Sequence, residues 1–217
     1  NGQHLTEADA LKALNSAAPG PVAEGNVGGG TGMITYEFKG GTGTASRHLT
    51  IDGEDFHLGA LVQANHGMRP WLNVLGKSIG ESMPEGRLFD DEQGSIIVIL
   101  GTNIPMAPHQ LQRLAKRAAI GVGRGGSPGG NNSGDIFLAF STANRGSIPQ
   151  LTGPRRRFEM ISDQQFDPIY MAAVESTEEA VINAMLAAED MTTLRPPGHV
   201  CRAIDGQRLQ SFFVTSD

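Results

Sequence analysis

Seven residues, Gly94-Ser95-Ile96-Ile97-Val98-Ile99-Leu100, constrain this chain more than any others. Ile and Val lose little by being extended and gain by packing on a pleated surface, so the run predicts a central strand buried on both faces. Ser95 stands at its mouth, after a glycine and the acidic, turn-prone segment Phe89-Asp90-Asp91-Glu92-Gln93. A Gly-Ser pair is ordinary loop material, and from this stretch alone the end of a loop is the simpler reading.

The flanking sequence supplies more strands and the helices to cover them. Thr6 caps a helix over 7–14 that Pro19-Gly20-Pro21 ends. Met33 to Phe38 alternates at period two as a half-buried strand, and Thr44 to Leu49 reads as its hairpin partner. A third strand, Phe56 to Ala64, places His57 outward and ends in Asn65-His66-Gly67, where polar groups stand on a loop held by a rigid strand. No acid or nucleophile is attached to His66 by a local motif, so it is a weak candidate for a general base. Segment 72–79 reads as a further strand and Glu81 to Gln93 as a loop. Pro108 opens an amphipathic helix to about Ile120, with Leu111, Leu114, Ala115, Ala118 and Ala119 on one face. Ile136 to Phe140 is a second apolar strand, 144–165 is irregular, and Asp167-Pro168 caps the longest helix, which runs to about Glu189. Its Met and Ala stripe is core. Val200 to Val214 is mixed.

Composition excludes several functions. The 217 residues are 39% hydrophobic with a net charge of −6, enough for one domain with a sizeable core and wrong in sign for a general nucleic-acid surface. Arg155-Arg156-Arg157 is the only compact basic cluster and reads as a solvated loop or a salt-bridging edge. The single Cys201 makes neither an internal disulfide nor a thiolate metal site. There is no membrane-length apolar run and no signal-like segment, so a cytoplasmic protein is expected, with the periplasm as the alternative. No cofactor or metal is implied. The chain starts at Asn1 without Met, so a fragment or a processed product is expected. The 29 glycines cluster at 25–32, 40–43 and 121–130, marking sharp turns or close backbone approach. Gly28 to Gly32 is not a phosphate loop, because no Gly-Lys-Ser/Thr ending and no helix follow it.

Seven segments together resemble the L-aminopeptidase/D-esterase family, which includes the β-peptidyl aminopeptidases. They are Glu24 to Met33, Phe38-Lys39-Gly40-Gly41, Gly43 to Arg47, Leu61 to Gly67, Gly94 to Val98, Pro108 to Leu111 and Ser133 to Thr142, in family order across most of the chain. The resemblance implies an α+β fold, a layered αββα sandwich shared with the ornithine acetyltransferases. It also implies a precursor that cuts its own chain between Gly94 and Ser95, freeing Ser95 as an amino-terminal nucleophile. One catalytic domain would then consist of an α-subunit-like part, 1–94, and a β-subunit-like part, 95–217, that stay associated in a homo-oligomer acting on small peptides, amides or esters.

The chemistry suits those positions. A serine hydroxyl needs a base, and a freed α-amine of pKa about 7.7–8.0 on the same residue supplies one at neutral pH. The resemblance makes Asn65 the oxyanion-stabilising donor and places Ser133 and Asp135 beside the new terminus to orient charge as protons move. Read without it, Ser133-Gly134-Asp135 is a plain turn. Gly28 to Gly32 is expected to let backbone approach the site rather than to act in it. Family precursors carry an amino-terminal portion ahead of the segment matching Asn1, contributing sheet strands, a pocket wall and a tyrosine, and that portion is expected to be missing here. Asn103 stands where many members have aspartate, and Asp135 where some have glutamate. Two other readings are an acyltransferase of the ornithine acetyltransferase type, in which an amine resolves the acyl-enzyme, and a catalytically silent subunit.

Overall fold

The computed structural model describes residues 4–145, 157–194 and 197–214. Arg155 and Arg156 lie outside the described residues, as does part of the irregular segment 144–165.

The strands are β1 (Ile34–Thr35), β2 (Phe38–Lys39), β3 (Gly41–Ile51), β4 (Glu54–Asn65), β5 (Asn73–Val74), β6 (Lys77–Ser78), β7 (Ser95–Thr102), β8 (Ile136–Ser141), β9 (Met191–Thr192) and β10 (Val200–Cys201). The helices are α1 (Glu7–Asn15), α2 (Ile79–Ser82), α3 (Pro108–Ala115), α4 (Ala118–Arg124), α5 (Phe166–Leu186) and α6 (Gly206–Ser211).

The principal sheet has the order β3-β4-β7-β8, with β3, β4 and β7 antiparallel and β8 parallel to β7. Asp52-Gly53, both at positive φ, close β3 onto β4, because a two-residue left-handed turn matches the twist of paired strands. A parallel neighbour requires a crossover, and α3 and α4 supply it between β7 and β8. Leu58, Ala60, Val62 and Ala64 of β4 and Ile96, Val98 and Leu100 of β7 face the helices and are buried. Each large aliphatic side chain so buried stabilises the fold by about 1.5–3 kcal/mol. Long helix α5 lies across β3 and β4. It comes so close that a Cβ on Gly43 would stand 2.0 Å from the Ala180 carbonyl oxygen.

The opposite face is open. Ile97 is 41% exposed, and Ile136, Leu138 and Phe140 are 57%, 53% and 46% exposed. The 94–100 run is therefore a central strand buried on one face only among the described residues, which corrects the expectation of burial on both. Helix α1 has the expected start, with the Thr6 amide donating to Asp9 Oδ2 at 2.8 Å, but buries none of its residues.

Four other expectations change. Met33 to Phe38 is not one strand paired with 44–49. It is the tight β1–β2 hairpin, and 44–49 belongs to β3, which pairs with β4. The alternating pattern is genuine, but Tyr36 and Glu37 sit at φ 50° and 60°, which reverses the chain between them. Segment 72–79 is likewise a small hairpin, turned by Leu75-Gly76 at φ 48° and 79° and followed by α2. The helix expected over 108–120 is two helices, α3 and α4, and the long helix begins at Phe166, just ahead of Asp167-Pro168. No helix of the described residues is long and apolar enough to cross a membrane.

Candidate active site at the mouth of β7

Three strand ends converge at Ser95. Asn65, the last residue of β4, is the cross-strand partner of Ser95, the first of β7, so their side chains share the open face. Parallel β8 enters from the other side, bringing Ser133-Gly134-Asp135 alongside. The Gly134 amide donates to Ser95 Oγ at 2.8 Å. Asp135 Oδ1 accepts from the Ile96 amide at 3.1 Å and from Ser133 Oγ at 2.5 Å. Ser95, Asn65, Ser133 and Asp135 are thus brought together.

The peptide bond before Ser95 is pressed against β4. A Cβ on Gly94 would stand 1.9 Å from the Asn65 carbonyl oxygen, so this position admits only glycine. The Asn65 side chain is oriented from the other side. Its Oδ1 accepts from the Ile34 amide at 2.9 Å, which fixes the carbonyl end and leaves the NH2 end as a donor. Such a neutral donor, locked by its own acceptor bond, is the form in which an amide stabilises an oxyanion.

The glycine-rich segment approaches the same face. Gly28–Gly32 forms a 3-10 turn, and a Cβ on Gly29 would come within 2.9 Å of Gln63 Oε1, on the open face of β4. The turn is held by Lys39, whose buried ammonium donates to the carbonyls of Gly30 (2.9 Å), Met33 (2.8 Å) and Gly40 (2.7 Å). Burial depresses the Lys39 pKa.

His66 is placed differently. Its ring is buried, 2% exposed, edge-on to Tyr36 at 5.1 Å, and neither ring nitrogen has a hydrogen-bond partner among the described residues. Burial lowers its pKa to about 4, against a smaller upward pull from Asp135, so the ring is neutral at physiological pH. With Asn65, Gly67, Phe89, Glu92 and Gly94 it lines a cavity of about 270 Å³. Of the other histidines, His57 faces out against His48 as expected, its amide donating to Asn103 Oδ1 at 2.7 Å.

Sequence reasoning missed the β1–β2 hairpin as a neighbour of the site. It orients Asn65 through Ile34 and receives the buried guanidinium of Arg69, which donates to the carbonyls of Tyr36 (2.8 Å), Glu37 (2.7 Å), Met83 (2.8 Å) and Glu85 (2.6 Å). Burial lowers the Arg69 pKa to about 10, so it stays charged. A left-handed turn without glycine leaves no sequence signal.

The model of peptidase family S58 matches residues 1–197. The chain belongs to peptidase family S58. It is 48% identical over 207 residues to a β-peptidyl aminopeptidase of Sphingosinicella microcystinivorans, covering 88% of this chain and 52% of that protein. Among solved structures, it is similar to the L-aminopeptidase D-Ala-esterase/amidase of Ochrobactrum anthropi, described as a serine aminopeptidase with a variant Ntn-hydrolase fold. That match has 56% identity and a TM-score of 0.89, over 96% of this chain and 57% of that one. A Burkholderia β-aminopeptidase matches at 42% identity and a TM-score of 0.86, over 97% and 59%. The chain thus has the mixed α+β fold of this Ntn-hydrolase group and spans a little over half the length of these relatives.

Proposed function

We propose that the whole protein is a serine aminopeptidase that matures by cutting itself between Gly94 and Ser95. The observation that carries this reading is the convergence of Ser95, Asn65 and Ser133-Asp135 at one end of the sheet, with the Gly134 amide on Ser95 Oγ. In the uncut chain the nitrogen of Ser95 is a peptide nitrogen and not a base. Ser95 Oγ attacks the Gly94 carbonyl carbon, the hydroxyl proton passes to the departing Ser95 nitrogen, and Gly94 becomes an ester on Oγ. Water hydrolyses the ester, leaving a Gly94 carboxylate and a Ser95 with free amine and hydroxyl.

In the cut form that amine takes the Oγ proton as Oγ attacks a substrate carbonyl, and Asn65 donates to the oxyanion. Collapse passes the proton to the leaving amine, and water releases the acyl group. Asp135, which accepts from Ser133 Oγ, holds the strand start through the Ile96 amide and supplies the negative charge that favours a protonated terminus. The substrate class is short peptides, amides or esters with a free amino end, as the names of the relatives suggest. Parts 1–94 and 95–217 stay joined because β7 is paired along its length to β4.

The open apolar face supports the layered αββα form: a second sheet from the remaining half of the protein would cover Ile97, Ile136, Leu138 and Phe140. Edman sequencing of the mature protein is expected to read Ser-Ile-Ile-Val. Ser95→Ala is expected to fold, remain uncut and lose turnover. Cleavage of that variant at the same bond would refute the assignment.

A further inference from the structure

Glu37 is a buried carboxylate that takes no part in the chemistry above, and its hydrogen bonds run to the segment that ends at the bond to be cut. Oε1 accepts from the backbone amides of Leu88 at 2.6 Å and Phe89 at 2.9 Å. Oε2 accepts from the amide of Arg69 at 2.8 Å, and the Arg87 guanidinium stands 3.5 Å away. Burial pushes the carboxyl up, but these amides and Arg87 hold it below the usual carboxylate range, so it is charged at neutral pH. The residue is held at a left-handed φ of 60°, a conformation that a non-glycine residue adopts only when its surroundings impose it. Arg69 anchors that turn through the Tyr36 and Glu37 carbonyls.

The same hairpin therefore touches both sides of the reaction. Through the Ile34 amide it orients Asn65, and through the Glu37 carboxylate it fixes Leu88 and Phe89, six and five residues ahead of Gly94 in the sequence. A second tie follows, where the Gly67 amide donates to Glu92 Oε1 at 2.8 Å. Between the two ties Asp90 and Asp91 are exposed. Among the described residues the carboxylate bonds to the amides of Leu88, Phe89 and Arg69 and faces Arg87, and it touches none of Ser95, Asn65, Ser133 and Asp135.

Resting on the self-cleavage reading, we propose that Glu37 is a positioning residue for maturation and not for turnover: it latches the upstream segment so that the Gly94 carbonyl meets Ser95 Oγ. Charged acceptors of backbone amides are the stronger class of hydrogen bond, and a misplacement of about 1 Å at a reacting centre costs up to about a hundredfold in rate. The latch thus sets the rate of one intramolecular event. The bond that orients Asn65 runs to the Ile34 amide and does not involve the carboxylate.

The test uses the whole precursor, with two variants assayed for the appearance of the Ser95 terminus, for kcat/KM per cut molecule and for melting. Glu37→Gln removes the charge and turns one of the two oxygens into a donor, which then faces either the Arg69 amide or the Leu88 and Phe89 amides. Insertion of Gly-Gly between Asp90 and Asp91 lengthens the tether while leaving the buried carboxylate untouched, and it decides the matter if Glu37→Gln does not fold. Both are expected to slow cutting by about tenfold or more and to leave kcat/KM of the cut fraction within about twofold of wild type. Glu37→Asp, which keeps the charge, should recover part of the maturation rate. A folded variant that cuts at the wild-type rate, or one whose kcat/KM per cut molecule falls in step with cutting, overturns the proposal. A wild-type protein whose mature chain does not begin at Ser95 removes the function reading itself. Correct maturation with unslowed variants removes the latch alone.

Discussion

Protonation of His66 offers a quantitative test of where the base lies. The unfolded chain binds a proton at His66 as pH falls through about 6.5, whereas the folded protein, with the ring buried beside Tyr36, resists until about 4. The folded pKa is the lower one, so the stability that His66 contributes is complete above pH 6.5 and is lost as pH falls from 6.5 to 4. At about 1.4 kcal/mol per pH unit, the loss over that window is about 3 kcal/mol. Urea unfolding of wild type and His66→Gln at half-unit steps from pH 7.5 to 4 isolates it, because the carboxylates common to both cancel in the difference. The two stability curves should run parallel above pH 6.5 and converge below it, wild type falling more steeply by about one proton's worth. The histidine Cε1 proton resonance gives an independent midpoint. A His66 that titrates near 6.5, or curves that stay parallel to pH 4, would refute the buried, neutral ring. The result bears on mechanism, since a ring neutral down to pH 4 cannot generate an acidic limb of kcat/KM near neutrality. That limb should survive in His66→Gln and move in Asp135→Asn.

Two further outcomes follow from the site. If Asn65 is the oxyanion donor, Asn65→Ala should lower kcat by about a hundred- to a thousandfold, with KM little changed, in steady-state assays on cut enzyme; an equal loss carried entirely by KM would make Asn65 a substrate-binding residue instead. Gly94→Ala drives a methyl into the Asn65 carbonyl and should abolish or greatly slow self-cleavage, visible as a persistent uncut band; rapid cutting would show that the approach of 1.9 Å is not needed.

Much of the site was legible because strands declare themselves. The β7 run and the apolar 136–140 stretch are local patterns, and strand mouths are where Ser95, Asn65 and Asp135 had to lie if those strands were neighbours. That they are neighbours came from the family resemblance, since nothing in 133–135 identifies it as more than a turn. The hairpin at 34–39 was misread because period-two alternation is the same for one strand as for two strands folded back. The deciding information is a pair of left-handed residues, Tyr36 and Glu37, whose conformation is imposed by Arg69 from a distant segment. The split between α3 and α4 was hidden for the opposite reason: the apolar spacing continues across the break, so periodicity alone could not place it.

The open face of the sheet also changes how substitutions in this chain should be judged. Ile97, Leu138 and Phe140 have the exposure of tolerant surface sites, and polar replacements there should leave the folding of these residues by themselves almost untouched. If a second sheet rests on them, the same replacements act in the whole protein as buried polar groups facing hydrocarbon, among the most damaging kinds of change. Mutational tolerance would then be a property of the assembled halves, and a scan of this chain in isolation would rank its most sensitive positions among its most permissive.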